Sequence, residues 1–348
     1  MLKKFKVGNH LVGEGCNPFF IAEAGVNHNG SIDIAKRLID VATKAKADAV
    51  KFQTFNPDKL IIKSAPKARY QQRTTGKGTF YAMLKKLQLD SSAHEELFKY
   101  AKKKGIMFIS TPFDEDSADM LCNLGVNAIK IDSGNLNNIF LVEHVAKKKK
   151  PIILSTGMST LGEIEESLDI IKKYNDKVIL LHCTSNYPPR FEDVHLNAIK
   201  TLRTAFDIPV GYSDHTPGIV TSIAAVSLGA VVVEKHFTLD RSSSGPDHLA
   251  SVEPEELELL IKSIRMVPTI LGSSIKAPVE AEKNETIPSL RRSVVSNQFI
   301  KGGTVITKDM ISIKRPGNGI PPKYFNIFVG KTAKKDIKPD SLIKWSDF

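Results

Sequence analysis

Two histidines, His215 and His236, each close a short apolar run, VGYSDH and VVVEKH, and a small-residue stretch separates the runs. An imidazole at a strand end can hold a divalent ion. Two of them on strands about 4.8 Å apart can share one and leave positions open for substrate or water. Side-chain alternation puts Gly211, Ser213 and His215 on one face, and Val232, Glu234 and His236 on one face of the second run, with Lys235 opposite. The intervening TPGIVTSIAAVSLGA starts with Pro-Gly and ends at Gly229, so it reads as a helix. A right-handed crossover then brings both histidines to one rim. The alternative is a pair of histidines that only cap their strands. Lys51 in DAVKFQTF and Lys130 in NAIKIDS, with nearby Ser and Thr hydroxyls (Ser110, Thr111, Ser133, Ser155, Ser185, Ser213), suit an anion bearing carboxylate and phosphate. Either lysine alone reads equally well as half of a structural ion pair. Glu23, inside the apolar FFIAEAGVN, is costly unless paired or functional, and points to acid–base or water-positioning work over an ion pair. Glu234 reads as support for the histidines or as a metal neighbour, and His182 as a hydrogen-bonded core residue. His28 and His248 stay open, and Tyr187 in SNYPP and Asp247 in SSSGPDH read as sugar contacts or as turn residues.

The elements that must carry these groups repeat. Strands are expected at 19–27, 48–55, 106–113, 127–133, 151–157 and 177–185, followed by the two histidine strands. Helices are expected at 31–46 (Ser31 as N-cap), 92–104, 114–124, 138–149, 161–174 and 193–205, between the histidine strands, and at 254–271 despite Pro268. Eight strand–helix units in about 250 residues is the size of a (β/α)8 TIM barrel, with an open doubly wound sheet as the runner-up. The polar residues fall at strand C-terminal ends, where such a barrel keeps its site. Residues 5–12 read as one short strand plugging an end, and 56–90 as a long loop. The barrel domain is placed at 1–275, a polar linker at 276–289 and a small, mostly β domain at 290–348.

Among 348 residues the net charge is +11, which alone would allow nucleic acid, an anionic surface or small anions as partners. No nucleic-acid motif accompanies it, and the lysines are spread along helices as solvated faces. No stretch approaches a membrane span. Cys16, Cys122 and Cys183 are scattered and odd in number, so reduced thiols and a cytoplasmic location are expected.

AEAGVNHNG, DAVKFQTF, FISTPFDEDS, PIILSTGMST, LLHCTSNYPP, GYSDHT, VEKHFTLD, SGPDHLAS and KRPGNGI, in this order, resemble the N-acetylneuraminate (sialic acid) synthase family over nearly the whole chain. The resemblance implies a TIM barrel joined to a C-terminal antifreeze-like (SAF) domain. It implies condensation of phosphoenolpyruvate with an N-acylated mannosamine-type sugar and water, giving a nine-carbon 2-keto acid and phosphate. It also implies that His215 and His236 hold a divalent metal, Mn²⁺ with Mg²⁺ or Co²⁺ as substitutes. Lys51, Thr111, Lys130 and Ser133 would hold the carboxylate end of phosphoenolpyruvate, and Ser155, Ser185 and Ser213 its phosphate. Glu23 would sit beside the reacting carbons, and Gln53, Tyr187 and Asp247 would contact the sugar. Arg315 would reach the acyl group from a second subunit, in a domain-swapped homodimer. One motif departs: DSGN stands where the family commonly has GSGE or PSGE, so Asn135 replaces a sugar-facing Glu. RTTGKG (73–78) is nearer to synthases of legionaminic acid. Competing readings are a Schiff-base aldolase using Lys51 or Lys130, and a noncatalytic carbohydrate-binding protein.

Overall fold

The computed structural model describes residues 4–348, which fall into two units divided between Gly272 and Ser273. In the first, a hairpin of β1 (Phe5–Val7) and β2 (His10–Val12) precedes β3 (Phe19–Gly25) and α1 (Ile32–Lys44). After β4 (Ala49–Thr54) come three short helices, α2 (Pro57–Leu60), α3 (Arg69–Thr75) and α4 (Phe80–Leu87), before α5 (Ser91–Lys104). Strand and helix then alternate through β5 (Met107–Pro112), α6 (Glu115–Leu124), β6 (Ile129–Ile131), α7 (Ile139–Lys147), β7 (Ile152–Ser155) and α8 (Leu161–Lys172). The series ends with β8 (Val178–Cys183), α9 (Ala198–Phe206), β9 (Val210–Asp214), α10 (Val220–Ser227), β10 (Val232–His236) and α11 (Pro254–Leu271).

The sheet order is β5-β4-β3-β10-β9-β8-β7-β6, and β5 and β6 also touch. Because β3 pairs in parallel with β10, the first and last strands meet and the sheet is a closed barrel, not an open doubly wound sheet. Local chemistry starts and stops the helices. Ser31, Asp90, Asp114 and Thr160 side chains accept from first-turn amides, and Gly105 and Gly125 end α5 and α6 in the left-handed region.

Each strand sends alternate side chains to two cores. Phe20, Val50, Phe52, Leu154, Leu180 and Val233 pack outward under the helices. Phe19, Ile21, Ala49, Ile109, Ile153, Ile179, Leu181 and Val232 fill the lower interior, where Val7 and Val12 of the hairpin join them. Residues 5–12 thus cover one end, but as two antiparallel strands rather than the single strand expected. The long loop expected at 56–90 is also corrected. Asn56 and Thr79 cap helices there, and Met83, Leu84 and Leu87 bury themselves with Val26 and Phe55 in a small separate core. Helix 193–205 starts later, at Ala198, because Phe191–Asp193 takes a 3₁₀ turn.

In the second unit β11 (Ser293–Ser296) pairs antiparallel with β12 (Ile311–Lys314) over a core of Val294, Ile300, Ile306, Ile311, Phe328 and Ile337. The stretch expected as a patternless linker holds helical turns at Glu282–Thr286 and Ile287–Leu290. They are largely exposed, so no apolar period marks them. Among the described residues no helix is long and apolar enough to cross a membrane.

Inside the barrel, Gly211 tolerates no side chain. A β-carbon there would meet the Val232 carbonyl oxygen at 2.4 Å and Leu181 Cδ2 at 2.7 Å. Gly211→Ala is expected to cost about 1–3 kcal/mol. The loss should lower the denaturant midpoint without changing the m value. An unchanged midpoint would contradict this close approach.

Candidate active site

Parallel pairing sets Glu23 of β3 opposite both His236 of β10 and Lys51 of β4. A carboxylate, an imidazole and an ammonium therefore stand in one row at the C-terminal rim. One level below, Glu234 of β10 is opposite Ser213 of β9. The charges alternate: Lys51 Nζ lies 2.9 Å from Glu23 and 3.6 Å from Glu234, and Lys130 Nζ lies 3.2 Å from Glu234. Lys51 also donates to Thr111 Oγ1 at 3.2 Å, and Ser213 donates to Glu234 at 2.9 Å. All four charged groups are buried. Such charges are tolerated only when each has an opposite neighbour and hydrogen bonds.

Their environments separate the two carboxylates. Burial pushes Glu23 up to about 7, against the pull of Lys51. Burial would raise Glu234 as well, but Lys130 and Lys51 outweigh it and bring Glu234 down to about 2. Lys51 is held above its ordinary value, because Glu23 and Glu234 overcome the burial penalty. Burial lifts Asp247 to about 6, against the pull of Lys51.

The two histidine rings lie 5.5 Å apart. His215 Nδ1 is 2.9 Å from the Thr184 carbonyl, which only accepts, so Nδ1 carries the proton and Nε2 keeps its lone pair. His236 Nδ1 is buried without a hydrogen-bond partner, with Asp247 Oδ2 3.9 Å away. Burial drives the His215 pKa down to about 4, and burial with neighbouring His215 and Lys51 drives His236 well below its ordinary value. Both are neutral near pH 7, the state a metal ion requires. Among the described residues no group of three or more His, Cys, Asp or Glu is arranged to hold a metal. Two imidazoles fit one open-sided ion, with substrate or water completing its coordination.

Of the residues singled out in the sequence, Glu23, Lys51, Gln53, Thr111 and Lys130 line one cavity of about 630 Å³. Ser133, Ser155, Ser185, Tyr187, Ser213, His215, Glu234 and His236 line it too. Ser155 Oγ and one oxygen each of Glu23 and Glu234 are buried there without hydrogen-bond partners. Tyr187 stacks on His215 at 4.2 Å and meets His236 edge-on. Asp247 is not among the cavity's lining residues, and its Oδ2 lies 3.9 Å from His236 Nδ1. Arg315 belongs to the second unit, where it is exposed and its Nε donates to the Leu290 carbonyl. Ser110 is not among the cavity's lining residues, and its hydroxyl bonds Thr54 behind the strand. Asn135 spends its amide on Asp132 and Asn138 within its own turn. His182 bonds the Val194 carbonyl, His28 accepts from the Gly30 amide, and His248 sits between Thr238 and Asn29.

Sequence reasoning missed Cys183, Lys67, Tyr70 and Gln71, which also line the cavity. Cys183 lies 3.2 Å from Ser133 Oγ, and burial raises its pKa, so it is a packed thiol rather than a nucleophile. Alternation in VILLHC placed Cys183 inward and was the available signal. For the other three the signal was the polar spacing in KARYQQ, hidden inside what reads as a loop.

The NeuB family model matches residues 38–276 and the SAF domain model residues 291–348. An N,N'-diacetyllegionaminic acid synthase of Campylobacter jejuni is 48% identical over 93% of this chain and 98% of its own length. One from Legionella pneumophila is 45% identical over 96% of this chain and 95% of its own. A crystal structure of an N-acetylneuraminic acid synthetase from Leptospira borgpetersenii, with citrate, superposes at a TM-score of 0.74 with 36% identity, covering 82% of this chain and 96% of that one. A barrel whose rim gathers these charges and imidazoles, matched by family models on both units, places the chain in the NeuB family, with a C-terminal SAF domain.

Proposed function

We propose that this protein condenses phosphoenolpyruvate with an N-acyl mannosamine-type sugar and water, releasing phosphate and forming a nine-carbon 2-keto acid. The observation that carries this is one buried mouth in which two neutral imidazoles stand beside an alternating Glu–Lys–Glu–Lys cluster and a set of hydroxyls. N-Acetylmannosamine, giving N-acetylneuraminate, is the first sugar to test. Similarity to the two diacetyllegionaminic acid synthases favours the 2,4-diacetamido-2,4,6-trideoxy sugar.

Lys51 and Lys130 hold the carboxylate of phosphoenolpyruvate, assisted by Thr111 and Ser133. Ser155, whose hydroxyl is unpartnered, takes the phosphate with Ser185 and Ser213. Gly157 lets these hydroxyls converge, since a β-carbon there would lie 2.3 Å from Ser185 Oγ and 2.8 Å from Ser133 Oγ. His215 and His236 hold a divalent ion, Mn²⁺ by preference, which when bound supplies Lewis acidity at the sugar's aldehyde oxygen. Tyr187 packs on both imidazoles and, with Gln53 and Asp247, orients the sugar so that C3 of phosphoenolpyruvate faces the aldehyde carbon. Glu23 stands beside His236 and positions the water that adds to C2, taking its proton in the ionised state. The tetrahedral adduct then loses phosphate by C–O cleavage. Lys51 is held as an ammonium by Glu23 and Glu234, which disfavours it as a Schiff-base nucleophile. In the active unit, a domain-swapped homodimer, Arg315 of one copy reaches the acyl group in the other.

Phosphate release from phosphoenolpyruvate, assayed with N-acetylmannosamine, its 6-phosphate and the diacetamido sugar, tests the reading directly. Chelator should abolish release and Mn²⁺ restore it. His236→Ala is expected to lose metal-dependent release by at least about a hundredfold while staying folded, and near-normal turnover would defeat the ligand role. Arg315→Ala should raise the sugar KM about tenfold, and an unchanged KM would count against the second unit's part. Glu23 adds a stability signature. With its folded value near 7 and its ordinary value 4.5, the folded protein keeps a proton that the unfolded chain releases. Its contribution to stability is therefore full below 4.5 and lost as pH rises to about 7. Glu23→Gln should gain Tm on the unmodified protein at about pH 8 relative to about pH 5. A Tm difference independent of pH would contradict the shift.

A further inference from the structure

Three lysines line the mouth, and two of them are occupied by carboxylates. The third, Lys67, is only 7% exposed, and its ammonium makes no ion pair among the described residues. It donates to Thr75 Oγ1 at 2.9 Å and to the Gly76 carbonyl at 3.1 Å, both neutral acceptors. An ammonium has three N–H donors, so one remains for a ligand. A buried cation with only neutral partners is expensive, and the cost is accepted where a ligand oxygen completes its shell. Lys67 also lines a second cavity of about 340 Å³, so it stands where the mouth adjoins that space.

The surrounding wall narrows the ligand chemistry. Pro66, Ala68 and Phe80 supply apolar surface, and Tyr70 stacks on Tyr187 at 5.5 Å, which itself stacks on His215. Gln71 is spent on the Ala68 amide and the Tyr70 hydroxyl. The wall therefore presents one charged donor amid apolar and aromatic surface. A phosphate dianion asks for several converging donors, and this wall offers one charged donor. An acylamino group asks for one donor to its carbonyl and apolar contact for its methyl.

We propose that Lys67 donates to the carbonyl of a second acylamino group, on C4 of the sugar, three bonds from the aldehyde carbon, and so selects a diacylated sugar. This rests on the synthase reading above. A hydrogen bond from a charged donor justifies an effect of about tenfold or more. The unmodified enzyme should have a higher kcat/KM for 2,4-diacetamido-2,4,6-trideoxymannose than for N-acetylmannosamine. Lys67→Met should lower that ratio about tenfold or more through the KM of the diacyl sugar, leaving the KM for phosphoenolpyruvate in place. Lys67→Arg, which keeps the charge, should retain most of the ratio, and Thr75→Val, which keeps the ammonium, should leave it near the original. A Lys67 that only ties down residues 67–76 would lower kcat/KM for both sugars alike, and that result overturns the proposal. So does a preference for N-acetylmannosamine 6-phosphate that Lys67→Met abolishes, because Lys67 would then be a phosphate anchor. If the unmodified enzyme turns over the mono-acyl sugar at least as well, the synthase reading stands and this subsite falls. If it uses no sugar, both fall.

Discussion

Four charges buried in the middle of a barrel are the constraint on which the site depends. Glu23, Lys51, Glu234 and Lys130 come from four strands and are stable there only as an alternating chain. Removing Lys51 would strand Glu23, and removing Glu234 would strand Lys130, each as an unpaired buried charge. The chain also divides the labour of the carboxylates: Glu234, gripped by both lysines, stays ionised, while Glu23 at the edge titrates near neutrality. A pair of carboxyl groups with separated pKa values is what acid–base work beside an anionic substrate requires.

The histidines are set from the other side of the wall. Behind the barrel strands, Lys235 and Asp214 form an ion pair at 3.0 Å with neither side chain exposed. Asp214 also accepts from the Thr216 amide and from Thr216, Thr221 and Ser222 hydroxyls, and Lys235 donates to the Thr216 carbonyl. Asp214 and Thr216 flank His215 and Lys235 precedes His236, so the outward network fixes the strand ends from which His215 and His236 point inward. The stack of Tyr70, Tyr187 and His215 then ties the segment after β4 to the same point.

Much of this was legible in the chain because period-two alternation is local. VGYSDH, VVVEKH and DAVKFQTF state which side chains share a face, and every barrel strand lies where its apolar run places it. The helix 254–271 was likewise readable through Pro268, since its apolar period and the Pro254 start outweigh one missing amide near the end. The segment 56–90 was not legible. Its helices are short and pack on a satellite core rather than on the barrel, so their periodicity never extends far enough to stand out. The turns at 282–290 escaped for the opposite reason, being exposed on nearly every side.

By itself the sequence determined the strand–helix repeat, the faces of the strands and the kinds of chemistry at their ends, because these follow from neighbouring residues. Only the tertiary structure decided which of those groups face each other. Glu23 is far in sequence from Glu234 and His236, and its nearness to His236 depends on barrel closure between β3 and β10, while its partnership with Lys51 comes from the pairing of β3 with β4. Lys67 lines the mouth while Asn135 is folded into its own turn, a difference the spacing of neither residue states. Local spacing encodes direction; distance, burial and the resulting proton affinities exist only after the chain has closed.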